Sequence, residues 1–158
     1  MRARINIPIR LFLVLSALIC YGPAAAAERS LPPPGECPQP RFTEKAPPDI
    51  LKLANPLSAS AETLAAGQRF YRGNSGAISC ATCHGEKGDG KGKLASQFVP
   101  PPRNFACAQT VNNVPDGQLF WIIKNGSPGT SMSPASALGN FTDENIWQLV
   151  AYIRVLAR

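Results

Sequence analysis

Residues 79–92 read Ser-Cys-Ala-Thr-Cys-His-Gly-Glu-Lys-Gly-Asp-Gly-Lys-Gly. Cys80, Cys83 and His84 form the pattern C-x-x-C-H, which reads as covalent c-type haem attachment. Two thiols three positions apart can each add across one haem vinyl group. The histidine directly after the second thiol then supplies an imidazole nitrogen to the iron as proximal ligand. Shuffling five Cys and one His through 158 residues gives this arrangement by accident about once in a thousand tries. Three other chemistries use close thiols. A structural zinc site needs four Cys or His ligands, and outside the motif only Cys37 and Cys107 remain, far apart in the chain. A thioredoxin-like redox pair wants a βαβ pattern around it, and none is visible. A plain Cys80–Cys83 disulfide leaves the adjacent histidine unexplained. Haem is the reading that uses all three side chains.

The length allows one ordinary domain. The first 27 residues read as a signal peptide: Arg2, Arg4 and Arg10 make a positive n-region, Leu11 to Tyr21 is apolar, and Ala24 to Ala27 supply an A-x-A cleavage site. That apolar run falls short of the roughly 20 residues needed to span a bilayer, so export with no stable membrane insertion, to a periplasm, is expected. Cys20 is a weak lipidation candidate, because bulky Ile19 precedes it. Cleavage leaves Cys37, Cys80, Cys83 and Cys107. With the middle two given to haem, Cys37 and Cys107 are expected to pair in an oxidising compartment; two buried free thiols are the alternative. Maturation also lowers the formal charge from +6, leaving 13 basic against 10 acidic side chains. No basic stripe of the kind that binds nucleic acid is present. The local cluster Lys87, Lys91 and Lys93 is either a solvated loop or a docking patch for an acidic redox partner.

Residues 28–57 are a proline-rich arm, expected to be extended because proline lacks an amide donor and to be strapped down through Cys37. A helix is predicted from about Ser60 to Arg72, with Ser58 or Ser60 as cap, and Gly73, Asn74 and Gly76 as its stop. The glycines at 85, 88, 90 and 92 suggest a loose polar loop. In the rigid run Pro100–Pro102, centred on Pro101, a carbonyl is the expected acceptor for the second ring N–H of His84. Arg103 is a candidate haem-propionate contact. A helix from about Pro115 to Asn125 follows, with Trp121 read as core. The turn-rich segment after it carries Met132, the only thioether once Met1 is removed. A loop methionine is usually gap filler; beside a lone C-x-x-C-H it becomes the candidate sixth iron ligand. The closing helix is predicted over Asp143 to Leu156, capped by Thr142, with Phe141 and Ile146 as a staple and Arg154 suiting its negative end.

From Ser58 to Arg158 the chain resembles the class I c-type cytochromes of bacterial periplasms. The likeness rests on Cys-Ala-Thr-Cys-His-Gly, on Gly126-Ser-Pro-Gly-Thr-Ser-Met132, and on the closing Asp143-Glu-Asn-Ile-Trp-Gln-Leu-Val-Ala-Tyr-Ile-Arg. It implies an all-α fold of about three to five helices around one covalent haem c. It also implies an axial pair of His84 and Met132, and a crossing where Gly67 and Tyr71 meet Leu149 and Tyr152. Ser133 departs from the family's usual proline after the ligand methionine, and the arm lies outside the common pattern. The implied function is one-electron transfer between redox proteins, not catalysis. The alternative is a haem subunit of an oxidoreductase complex acting on small sulfur or nitrogen compounds.

Overall fold

The computed structural model describes residues 33–40, 43–73 and 78–157. The expected signal peptide with Cys20, residues 28–32 and 41–42 of the arm, and Asn74 and Gly76 lie outside the described residues. Among the described residues six α-helices follow in order: α1 (Pro48–Leu51), α2 (Ala61–Arg72), α3 (Cys80–His84), α4 (Ala108–Val111), α5 (Asp116–Asn125) and α6 (Asp143–Leu156). Two single 3₁₀ turns, Ala95–Gln97 and Ala135–Ala137, lie between them, and no strand occurs among the described residues. The fold is all-α, as expected. Only α2, α5 and α6 exceed five residues.

Local chemistry sets the long helices. Ser60 Oγ accepts from the Thr63 amide at 3.1 Å and starts α2; Gly73, at φ 66°, ends it. Thr142 and Asn145 cap α6 reciprocally, Asn145 N–H donating to Thr142 Oγ1 at 3.2 Å and Thr142 N–H to Asn145 Oδ1 at 3.1 Å. Ile146, Leu149, Tyr152, Ile153 and Leu156 all lie on the buried face of α6.

The packing centre is the crossing of α2 and α6. A Cβ on Gly67 would stand 2.2 Å from the Gln148 carbonyl oxygen and 2.8 Å from Tyr152 Cβ, so only glycine lets the two backbones meet there. One turn later the Tyr71 and Tyr152 rings pack with centroids 5.4 Å apart. Helix α5 completes the core with Leu119, Phe120 and Ile123, and Phe120 stacks on Trp147 at 4.3 Å. The buried indole is therefore Trp147. Trp121 is half-buried, a correction that follows because Phe120 holds the inward position of α5.

The arm is built into this core. Cys37 and Cys107 form the expected disulfide, with Cα atoms 5.6 Å apart, an ordinary spacing. The Gln118 amide, fully buried on α5, accepts from Ala46 N–H at 2.8 Å and donates to Glu44 O at 3.1 Å. Asn55 Nδ2 donates to Trp147 O at 2.9 Å. One expectation is corrected: the arm is not extended throughout. Pro48 opens the one-turn α1, because the first position of a helix needs no amide donor. Among the described residues no helix is long and apolar enough to cross a membrane.

Candidate haem-binding site

The motif forms α3, one turn long, which the sequence did not reveal as a helix. Ser79 starts it, its N–H donating to Thr82 Oγ1 at 3.0 Å. A helix this short leaves its last carbonyls without partners, and the glycine loop supplies them. Leu94 N–H donates to Thr82 O at 3.1 Å, Gly92 N–H to Cys83 O at 3.1 Å and Gly90 N–H to His84 O at 2.8 Å. The loop expected to be loose is thus a cap wrapped over α3. Gly92 is required because a Cβ there would lie 2.3 Å from Thr82 O. Gly85, at φ 83°, turns the chain into the loop, and its carbonyl accepts the buried Tyr71 hydroxyl at 2.8 Å. Burial raises the pKa of that hydroxyl well above the ordinary tyrosine value, so it stays a donor.

His84 is buried. Its Nδ1 lies 2.9 Å from the Arg103 carbonyl oxygen. A carbonyl only accepts, so Nδ1 carries the proton and Nε2 keeps its lone pair. Among the described residues Nε2 has no hydrogen-bond partner. The ring stacks on Phe105 with centroids 4.4 Å apart and planes 19° off parallel. Burial pushes the imidazole pKa down to about 4, which keeps it neutral and able to ligate. The expected acceptor, Pro101, is therefore wrong by two residues. The proline run makes the segment rigid, yet it is the peptide just past it that faces the ring. Arg103, the candidate propionate contact, is engaged by the arm. Its guanidinium donates to Gln39 O and Pro40 O, each at 3.3 Å, and so lies against the arm.

Cys80 and Cys83 are unpaired. Burial pushes the Cys80 thiol up to about 11 and raises Cys83 as well, so both are neutral thiols at ordinary pH. Met132 and Cys80 pack, half-buried, against the same apolar core. Met132 is presented by a pinned loop. Ser127 N–H donates to Met132 O at 2.9 Å, and Met132 N–H to Thr130 Oγ1 at 3.2 Å. An open depression of about 370 Å³ lies there, lined by Asn125, Ser127, Pro128, Thr130 and Met132 among others. Buried Ser127 Oγ has no partner. Lys87, Lys91 and Lys93 are all exposed on or beside the glycine loop.

This donor set fits haem c. Two free thiols share one helical turn, and the adjacent imidazole has its outer nitrogen spent and its inner one free. It does not fit tetrahedral zinc, because Cys37 and Cys107 are bonded to each other. Residues that sequence reasoning missed are Phe105, Tyr71 as a donor, and Gln39. Only Phe105 carried a signal, as an aromatic just after the proline run.

An all-α shell closing on C-x-x-C-H defines a c-type cytochrome domain. The chain belongs to the family described as cytochrome c oxidase, cbb3-type, subunit III, matching it over residues 62–153, more than half its length. Its cofactor is covalently bound haem c and its chemistry is electron transfer. Among solved structures it is similar to a chain of the Kuenenia stuttgartiensis reducing HAO-like protein complex, at 22% identity and a TM-score of 0.55. That likeness covers 78% of this chain but 52% of the other, so the present chain spans about half its relative's length. Comparison with curated proteins gives no match.

Proposed function

We propose that this chain is an exported, periplasmic one-electron carrier, with residues 58–158 as its cytochrome domain. In this reading Cys80 and Cys83 hold the haem through thioethers, and His84 and Met132 are the axial ligands. The observation that carries it is the His84 ring, with Nδ1 held by the Arg103 carbonyl and Nε2 without a hydrogen bond among the described residues. Haem supplies reversible iron(III)/iron(II) chemistry; a histidine–methionine pair leaves no open position for substrate and favours the ferrous state. The chain's own part is to hold both ligands still. Phe105 and the Arg103 carbonyl fix the imidazole, and the hydrogen bonds of the Ser127–Met132 turn fix the thioether, so little rearrangement accompanies electron transfer. Exposed Lys87, Lys91 and Lys93 would steer an acidic partner, and association would weaken with salt. Rates independent of salt would remove that role. The direct test is absorption spectroscopy of haem-matured protein. Met132→Ala should abolish the weak far-red ferric band of methionine ligation and lower the potential, whereas persistence of both would show another ligand.

A second reading, a fixed haem subunit of an oxidoreductase complex, draws support from the Kuenenia stuttgartiensis relative, which is part of a reducing HAO-like protein complex, and from the strapped arm. Gel filtration of native protein separates the two, since a carrier runs as a free monomer.

A further inference from the structure

The arm that lies outside the family pattern reaches the peptides beside the haem-site histidine through Gln39. Gln39 sits two positions after disulfide-bonded Cys37, and its own N–H donates to Thr110 Oγ1 at 3.1 Å. From that anchored backbone its side-chain amide reaches the peptides on both sides of Arg103. Oε1 accepts from the Asn104 N–H at 2.6 Å, and Nε2 donates to Pro102 O at 3.1 Å. Asn104 Nδ2 adds a bond back to the arm, donating to Gly35 O at 2.9 Å. The Arg103 carbonyl, the acceptor of His84 Nδ1–H, belongs to the second of these clamped peptide groups, on the opposite side from the held Asn104 N–H.

We propose that Gln39 is a positioning residue for the haem site, its amide bracketing Arg103 so that the Arg103 carbonyl is held on His84 Nδ1–H and the basicity of His84 is set from the disulfide-anchored arm. Outer partners that accept a ligating histidine's second N–H fix its ring and raise its basicity. A more basic imidazole favours ferric iron, so a firmly held carbonyl lowers the potential and a loose one lets it rise. The proposal rests on His84 being the ligand. Nothing in it requires Gln39 to touch the haem, and no change in electron count is involved.

The test uses haem-matured protein, comparing wild type with Gln39→Met and Gln39→Glu. Methionine matches glutamine in size but can neither accept from Asn104 nor donate to Pro102; glutamate retains the acceptor. In Gln39→Met the Asn104 amide should exchange with solvent about tenfold faster. The paramagnetically shifted ring N–H of His84 should move and exchange faster, and the potential should rise. The visible spectrum should remain six-coordinate. In Gln39→Glu the Asn104 amide keeps its acceptor and should exchange near the wild-type rate, while loss of the Pro102 bond should leave the His84 ring N–H between wild type and Gln39→Met. A faster Asn104 amide in Gln39→Met with an unmoved ring N–H and potential would overturn the proposal, showing Gln39 to be merely structural. Equal loosening in both variants would also overturn it. If wild-type protein shows no shifted ring N–H from His84, the ligand assignment itself falls and takes this proposal with it, an outcome distinct from the other two.

Discussion

Gly67→Ala sets two opposed effects against each other at the α2–α6 crossing. Helix propensity alone favours alanine over glycine by about 1 kcal/mol in a helix interior. Sterics oppose it: the new Cβ would lie 2.2 Å from the Gln148 carbonyl oxygen, 2.8 Å from its carbon and 2.8 Å from Tyr152 Cβ. Two of these three atoms are α6 backbone, which no rotamer change can move. Restoring van der Waals contact requires the helices to part by about 1 Å, a gap that forfeits a quarter to a half of each dispersion contact along the seam. Overpacking a well-filled core costs about 1–3 kcal/mol, and an immovable obstacle places this site at the upper end. The net expectation is a loss of roughly 2 kcal/mol, equivalent to a fall of about 8 °C in Tm. Thermal melts of haem-loaded wild type and variant, followed by circular dichroism, measure it. A variant equal to or more stable than wild type would refute the close backbone crossing.

Removing the disulfide with Cys37→Ser and Cys107→Ser frees a loop of sequence separation 70, for which chain entropy gives about 4 kcal/mol; guanidinium melts that shift by less than about 1 kcal/mol would show that the arm is not a tether. Arg154→Met strands Asp116 and the carbonyls of Val111 and Val114, all of which the guanidinium now contacts. The ion pair is only partly buried, so the expected loss is about 2 kcal/mol in urea titrations, and a change within 0.5 would contradict it. For pH, burial lowers the His84 pKa from 6.5 to about 4, so without iron the unfolded chain takes the proton first, and stability is lost as pH falls from about 6.5 towards 4. Iron on Nε2 competes with that proton as well, so haem-loaded protein should keep its Soret band to lower pH than the iron-free chain keeps its fold; identical acid midpoints for the two would count against His84 as the ligand.

What the sequence could reveal depended on the range of the interactions. Helix α6 was legible to the residue because its dipole charges and apolar stripe lie within its own 14 residues and its cap, Thr142, directly precedes them. The disulfide was legible by elimination among few cysteines. Helix α3 was not, since five residues carry no periodicity. The glycine loop misled in a specific way. Its composition announces conformational freedom, but the partners that remove this freedom are the end carbonyls of Thr82, Cys83 and His84. The acceptor of His84 was placed in the right segment and at the wrong peptide, because prolines report stiffness and not which carbonyl faces inward. Gln118 and Gln39 had no signal at all. Each is a single polar side chain whose partners are main-chain atoms more than 60 residues away.

The same contrast of range separates the two candidate ligands. Met132 is held from nearby: the Ser127 and Thr130 bonds and the Gly126 turn all fall within its own loop. His84 is held from afar. The glycine loop fixes its backbone and the Arg103 carbonyl its outer nitrogen, while Phe105 covers its face. Residues 102–107 are bonded in turn to an arm more than 60 residues earlier. A local loop can open without disturbing the core, because its constraints are few and close in sequence. The histidine side is held by the arm, the segment after the prolines and α3 at once, so it loosens by degrees as each hold is removed and opens fully only when all give way. Rigidity is therefore concentrated on the face where the chain also holds the cofactor covalently, and the methionine face keeps whatever freedom the site possesses.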